Sequence, residues 1–387
     1  MNRRYVIVRR PWAAAVDVGA PEPAQFYARM IDQALRYGLP GRRRVWPAWV
    51  LAARAPKPVR PAGAALRHLR PTARPDLDAL VDAVRRDWGV IAGRCDGLPR
   101  RPPALSVLAL ERAAGRTVFL FGDEPHPLVV AKVPRVTAEP LALEAEALRR
   151  AEGAAIAPRD LGQVAGAYLQ AGVPGSPPVI APLRLGAAAR ARWPRELDAL
   201  AAGLQHLAAM TAERTQPARL GPVVDRALGD AVLDGATRRA LVAAWRDVRH
   251  LEVSVLRHRD TSPQNCLVVD GRLQGLVDWE LADFHGPPGF DVWNAASAWF
   301  DAGVGLWRWS EARLLEAFTA AWQDSPFWRG SRAAARDSAR AAGVAEAVLD
   351  PLEIVFFGSR VGNRLAMPGW HPTGPAVAAA ILRAVLD

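Results

Sequence analysis

His258-Arg259-Asp260-Thr261-Ser262-Pro263-Gln264-Asn265 is the stretch on which the reading of this 387-residue chain turns. A short apolar run, 265–269, follows it. Asp270-Gly271 then marks a tight turn, and a second apolar run, 273–277, ends at Asp278-Trp279-Glu280. Phosphoryl transfer needs a carboxylate near the acceptor hydroxyl and oxygen donors for magnesium. Asp260 is suited to accept or orient a hydroxyl proton. Asn265, five residues on, can reach a metal from the other end of the same loop. Asp278, delivered by the hairpin, completes the set.

These residues resemble the aminoglycoside phosphotransferase and choline kinase family, which has a protein-kinase-like fold. The resemblance covers about residues 105–370. It is carried by His258-Arg259-Asp260, Asn265, Asp278-Trp279-Glu280 and the later Gly286-Pro287-Pro288-Gly289-Phe290-Asp291. It implies that Asp260 is the catalytic base, that Asn265 and Asp278 hold Mg2+, that His258 orients the loop and that Asp291 braces it. Arg259 departs from the pattern, since Gly or Asn is commoner there in small-molecule kinases. His-Arg-Asp is the protein-kinase spelling. Yet Trp279 stands where protein kinases have Phe, and no Ala-Pro-Glu follows Asp278. An activation segment is therefore not expected.

Upstream, a phosphate-gripping lysine on a strand and a glutamate to position it are expected. The chain has only two lysines, Lys57 and Lys132, against 48 arginines. Lys132, in Val129-Val130-Ala131-Lys132-Val133, follows two strand-like segments as a third. Lysine is a compact point charge suited to α- and β-phosphates. Glu144 fits the family's Arg-Glu-x-x-x-Leu pattern as its partner, and Glu146 is the alternative. The nucleotide loop, 111–117, offers one glycine, Gly115, in place of Gly-x-Gly-x-x-Gly. The segment from Gln170 to Val173 matches the connection between lobes. Its backbone, at Ala171 and Val173, would meet the adenine of ATP.

The charge is uneven. Residues 1–104 hold 20 Lys+Arg against 8 Asp+Glu, and the remainder is close to neutral, although the whole chain carries +11. The basic character thus belongs to an N-terminal extension. Arg42-Arg43-Arg44 could meet an anionic partner, but a solvated arginine-rich segment packed on the small lobe is the simpler reading. Two distant cysteines, Cys95 and Cys266, argue against a disulfide framework and for a reducing, cytoplasmic setting. No apolar run is long enough for a membrane span, and Asp17 ends the run at 13–16 too early for a signal peptide.

The expected architecture is α+β and bilobal: a basic extension (1–104), a small antiparallel-sheet lobe binding ATP (105–175) and a larger, mostly helical lobe with the catalytic loop and acceptor site (176–387). Strands are expected at 5–8, 105–110, 117–121, 128–133 and 167–171. Helices are expected at 22–37, 76–92 (capped by Asp76) and 139–151. Residues 40–74 read as irregular. Eight of the fourteen tryptophans fall at or after position 279. They could stack on a sugar or enclose a quaternary amine, although packing between helices is the more ordinary role. Glu280, Asp283 and Asp301 could meet a cationic substrate. The expected reaction moves the γ-phosphoryl group of ATP to a hydroxyl of an amino sugar, aminoglycoside, choline-like amino alcohol or sugar. The rival readings are a protein kinase and a nucleotide-binding regulatory module without turnover.

Overall fold

The computed structural model describes residues 5–8, 14–17, 20–37, 73–111, 115–135, 139–181, 183, 188, 190–214, 217–305, 311–366 and 373–387. The Arg/Pro-rich segment with Arg42–Arg44, loop residues 112–114, and Trp307, Trp309 and Trp370 lie outside them. The chain divides into two compact units. One comprises residues 1–152 and 157–176, the other 153–156 and 177–387.

The first unit is built on alternation. Strands β1 (Tyr5–Val8), β2 (Ala14–Asp17), β3 (Ser106–Glu111), β4 (Gly115–Phe121), β5 (Val129–Pro134), β6 (Asp160–Val164) and β7 (Ala167–Ala171) form one antiparallel sheet in the order β1-β2-β3-β4-β5-β7-β6. Side chains alternate across a strand, so β3 sends Val107 and Ala109 to one face and Leu108 and Leu110 to the other. Both faces are covered, which explains why β3 reads as an unbroken apolar run. On one face lie helices α2 (Pro75–Arg86) and α3 (Trp88–Ala92). Their Leu77, Val81, Val84, Trp88 and Ile91 pack on Val107, Val118, Leu120 and Ala131. On the other, helix α1 (Glu22–Tyr37) brings Phe26, Tyr27 and Met30 against Leu108, Phe119 and Phe121. Those that are fully buried and as large as valine or leucine contribute about 1.5–3 kcal/mol each.

Two local expectations are corrected. Asp76 does not cap its helix. Arg74 stands at the cap position and Pro75 opens the first turn, where its missing N–H costs nothing. The Asp76 carboxylate instead accepts from Arg74 and from Arg116 Nη1 at 2.5 Å, and these partners hold it well below the usual carboxylate range. The helix expected to run to Ala92 also breaks at Asp87, giving α2 and α3. Strands β2 and β6 join those expected.

The second unit is mainly helical: α5 (Arg195–Thr211), α6 (Gly221–Gly229), α7 (Gly235–Val248), α8 (Phe290–Val304), α9 (Glu311–Trp322), α10 (Pro326–Ala341), α11 (Leu349–Ala366) and α12 (Pro375–Leu386). Helix α4 (Glu139–Arg150) belongs to the first unit. Trp279, Trp293, Trp299, Trp322 and Trp328 are all buried. Trp322 and Trp328 lie 5.1 Å apart beside Phe318 and Phe357. All five are interior packing residues rather than open faces.

Two short ribbons frame the loop quoted at the outset. Strand β8 (Val255–Arg257) pairs with β11 (Asp283–Gly286), and β9 (Cys266–Val269) pairs with β10 (Arg272–Leu276). Asp270 and Gly271 both have positive φ, 49° and 72°, as a two-residue hairpin turn of the Asp-Gly kind requires. Gly289, at φ 80°, opens α8; a Cβ there would stand 2.8 Å from the Ala335 carbonyl oxygen.

Candidate active site

The loop 258–265 leaves β8 and is fixed by one carboxylate. Asp291, in the first turn of α8, accepts from the His258 amide at 2.5 Å and the Arg259 amide at 3.2 Å. It also takes Arg257 Nε at 3.1 Å. Thr261 Oγ1 donates to the Asp291 carbonyl at 2.9 Å, and Asn294 Nδ2, one turn on, donates to the Arg259 carbonyl at 2.9 Å. Arg259 sits at φ 69°, the left-handed region that favours glycine and asparagine. The preference for those residues at this position thus has a backbone cause.

His258 is buried and joins the two halves of the constellation. Its Nδ1 accepts the Asp260 amide at 3.2 Å. That assigns the ring proton to Nε2, which donates to the Val277 carbonyl at 3.0 Å. Trp279 meets the ring edge-on, centroids 4.7 Å apart. Burial pushes the imidazole below its ordinary value, against the opposing pull of Asp291, Asp260 and Asp278. Both nitrogens of this neutral ring are engaged, so it is a positioning residue.

Asn265 and Asp278 are neighbours across the β9–β10 ribbon, because the Val277 amide donates to the Asn265 carbonyl at 2.8 Å. Asn265 Nδ2 donates to the Asp260 carbonyl at 3.0 Å, which leaves Oδ1 as the amide's other polar atom. Asp278 adopts a left-handed conformation, φ 70° and ψ 62°. A non-glycine residue held there stores strain of about 1–3 kcal/mol. Trp279 Nε1 anchors the next residue to the Leu276 carbonyl at 2.7 Å. An amide oxygen and a carboxylate are hard donors of the kind magnesium takes beside phosphate oxygens and water. Asp260 precedes both in the chain and is half-buried.

In the first unit, Lys132 stands in β5 opposite Thr117 and Tyr168. Its Nζ reaches both oxygens of Glu144, at 2.5 and 2.7 Å, with the two side chains 12% and 3% exposed. Glu146, the alternative partner, pairs with Arg149 and Arg150 on the solvated side of α4. Lys132 and Glu144 line a small crevice with Leu148, Tyr168 and Gln170. Gly115 opens β4 at a close approach: a Cβ would lie 2.3 Å from the Val133 carbonyl oxygen. The Ala171 amide is taken by the Arg159 carbonyl at 2.9 Å, so a base could meet Ala171 only at its carbonyl. Val173 lies two residues beyond the end of the strand.

Sequence reasoning passed over Arg257, Thr261 and Asn294. Asn294 carried a signal, as one of only four asparagines in the chain. The other two are ordinary residue types whose role is visible only once α8 meets the loop.

Among solved structures, the chain is similar to a macrolide 2'-phosphotransferase from Brachybacterium faecium (17% identity, TM-score 0.43, covering 80% of this chain and 98% of that one). It is also similar to choline kinase from Cryptosporidium parvum (10%, 0.42, 80% and 94%) and to Plasmodium vivax ethanolamine kinase (12%, 0.39, 76% and 86%). A search of curated proteins gives no match. The model of the APH phosphotransferase enzyme family matches residues 106–340, well over half of the chain and spanning every residue discussed above from β3 to α8. The chain belongs to the APH phosphotransferase enzyme family.

Proposed function

We propose that this phosphotransferase moves the γ-phosphoryl group of ATP to a hydroxyl of a small molecule, with magnesium. The observation that carries the reading is the bridge made by His258. One buried imidazole ties the loop bearing Asp260 to the strand end bearing Asp278. The loop of the base and the strand end of a metal ligand are thereby set by the same buried ring. In this reading Asp260 orients the acceptor hydroxyl and takes its proton. Asn265 and Asp278 hold magnesium, which when bound neutralises charge on the transferring phosphates. Lys132, steadied by Glu144, meets the α- and β-phosphates. Gly115 and the backbone at Ala171 and Val173 contact the nucleotide. The gain comes chiefly from positioning.

A small-molecule acceptor is favoured over a protein by the short path after Asp278. A single 3-10 turn (Trp279–Leu281) and β11 lead straight to α8 at Phe290. That path has no room for an activation segment. A regulatory module without turnover fits less well, since Lys132, Asp260, Asn265 and Asp278 are all retained. Among the described residues, no helix is long and apolar enough to cross a membrane.

The test is ADP release from magnesium-ATP over a panel of amino alcohols, amino sugars, aminoglycosides and neutral sugars. Asp260→Asn should lower turnover by about a hundredfold or more while ATP binding persists. Turnover indifferent to that substitution would sink the assignment. ATP binding with no acceptor-dependent turnover on any compound would support the regulatory reading.

A further inference from the structure

Helix α8 is buried along most of its length. Its less buried positions, Asn294, Ala298, Asp301 and Ala302, form one strip. Asn294 touches the loop through the Arg259 carbonyl. Asp301 lies seven residues on, nearly in line with it and about 10 Å further along the helix. There α11 meets the strip. Arg360 approaches Asp301 at 3.7 Å, with side chains 17% and 13% exposed. Arg364 stands one turn beyond Arg360 on the same face, with half-buried Asn363 beside it.

The charges at this end of the strip do not balance. Among the described residues, two guanidinium groups face one carboxylate there, an excess of one positive charge in a partly desolvated place. Arg364 Nε is buried without a hydrogen-bond partner among the described residues. Burial and the neighbouring Arg360 push Arg364 down to about 9. A buried guanidinium donor with no acceptor is costly, and an oxyanion that offers two oxygens to a guanidinium fork, carboxylate or phosphate, is what arginine binds best.

We propose that the strip from Asn294 to Asp301, closed by Arg360 and Arg364, is an acceptor groove whose far end takes an anionic oxyacid group, carboxylate or phosphate. The acceptor's anion then lies about 10 Å from the hydroxyl that is phosphorylated, roughly the span of a disaccharide acid. Asp301 holds the two guanidinium groups in place and tempers their charge. The proposal rests on the phosphotransferase reading for its orientation, with the reacting hydroxyl at Asp260.

The experiment uses the full chain and two readouts. Binding is measured calorimetrically without ATP for lactobionate, lactose 1-phosphate, neutral lactose and cationic neamine. ADP release is measured with the same four compounds. The anionic pair should bind at least about tenfold more tightly than the others, and Arg364→Gln should abolish that preference. Asp301→Asn, which removes the opposing charge, should tighten anion binding by about threefold, an effect of the opposite sign that misfolding does not imitate. Preference between the carboxylate and the phosphate identifies the oxyacid. A preference for neamine, no charge preference, or indifference to both substitutions would overturn the proposal and leave Asp301–Arg360 as an interior ion pair only. Anion selectivity in binding with no ADP release would instead count against the transfer reading.

Discussion

Asp291 holds His258 by its backbone: the carboxylate accepts the His258 amide at 2.5 Å while a second oxygen serves Arg259 and Arg257. One buried side chain thus sets the entry of the loop that carries Asp260. Asp291→Ala would leave two amides and a guanidinium without their acceptor. Losing one partner from a buried charged cluster costs about 3–5 kcal/mol. The midpoint of urea unfolding should fall accordingly, and residual folded protein should turn over slowly because the loop is no longer held. A variant with wild-type stability and rate would show that Asp291 is dispensable.

Arg259 supplies a test of the opposite kind. Its φ of 69° costs an arginine about 1–2 kcal/mol. Glycine would relieve that strain but would also loosen the unfolded chain. The two effects nearly cancel, so Arg259→Gly should melt within a few degrees of the wild type and keep its activity. Arg259→Val should melt clearly lower, because a β-branched residue tolerates this region worst. Equal losses in both variants would mean that the arginine side chain matters more than its backbone.

Much of this was legible because it is local. The loop, the Asp-Gly turn and Asp278 fall within twenty-one consecutive residues, so spacing alone assembles them. Lys132 stood out through the scarcity of lysine. What escaped reading depends on distant partners. Strand β2 is three small or branched apolar residues and an aspartate, a strand only because β1 and β3 flank it. Strands β8 and β11 are short and pair across some thirty residues. Asp76 has the chemistry of a helix cap, but Arg74 and Arg116 compete for its carboxylate and win. Glu144 and Glu146 differ by two helical positions, and only the packing of α4 on the sheet shows which one is buried.

That difference in burial predicts a difference in function. Glu144→Gln removes the charge that holds the Lys132 ammonium, and ATP affinity should drop by about tenfold, as loss of a charge-assisted contact implies. Glu146→Gln touches only the exposed pairs with Arg149 and Arg150, whose contribution is small. ATP affinity should then stay within about twofold. Titration with a fluorescent ATP analogue separates the two, and equal effects would contradict the pairing seen here.

Glu353 governs a pH dependence away from the loop. It is buried in α11, 3.9 Å from Arg332 Nε, with Oε1 lacking a hydrogen-bond partner among the described residues. Burial pushes its carboxyl up to about 7, despite the nearby arginines. The folded chain therefore keeps a proton that the unfolded chain has already lost. Stability contributed by the neutral acid is complete below the ordinary glutamate value, is lost as pH rises towards 7, and does not return above it. Glu353→Gln keeps the shape and removes the ionisation. Its melting temperature should exceed the wild type's at pH 8, by an amount corresponding to about 1–3 kcal/mol, and the advantage should vanish near pH 4.5. Parallel melting curves for the two proteins across that range would mean that the Glu353 carboxyl is ionised at little cost.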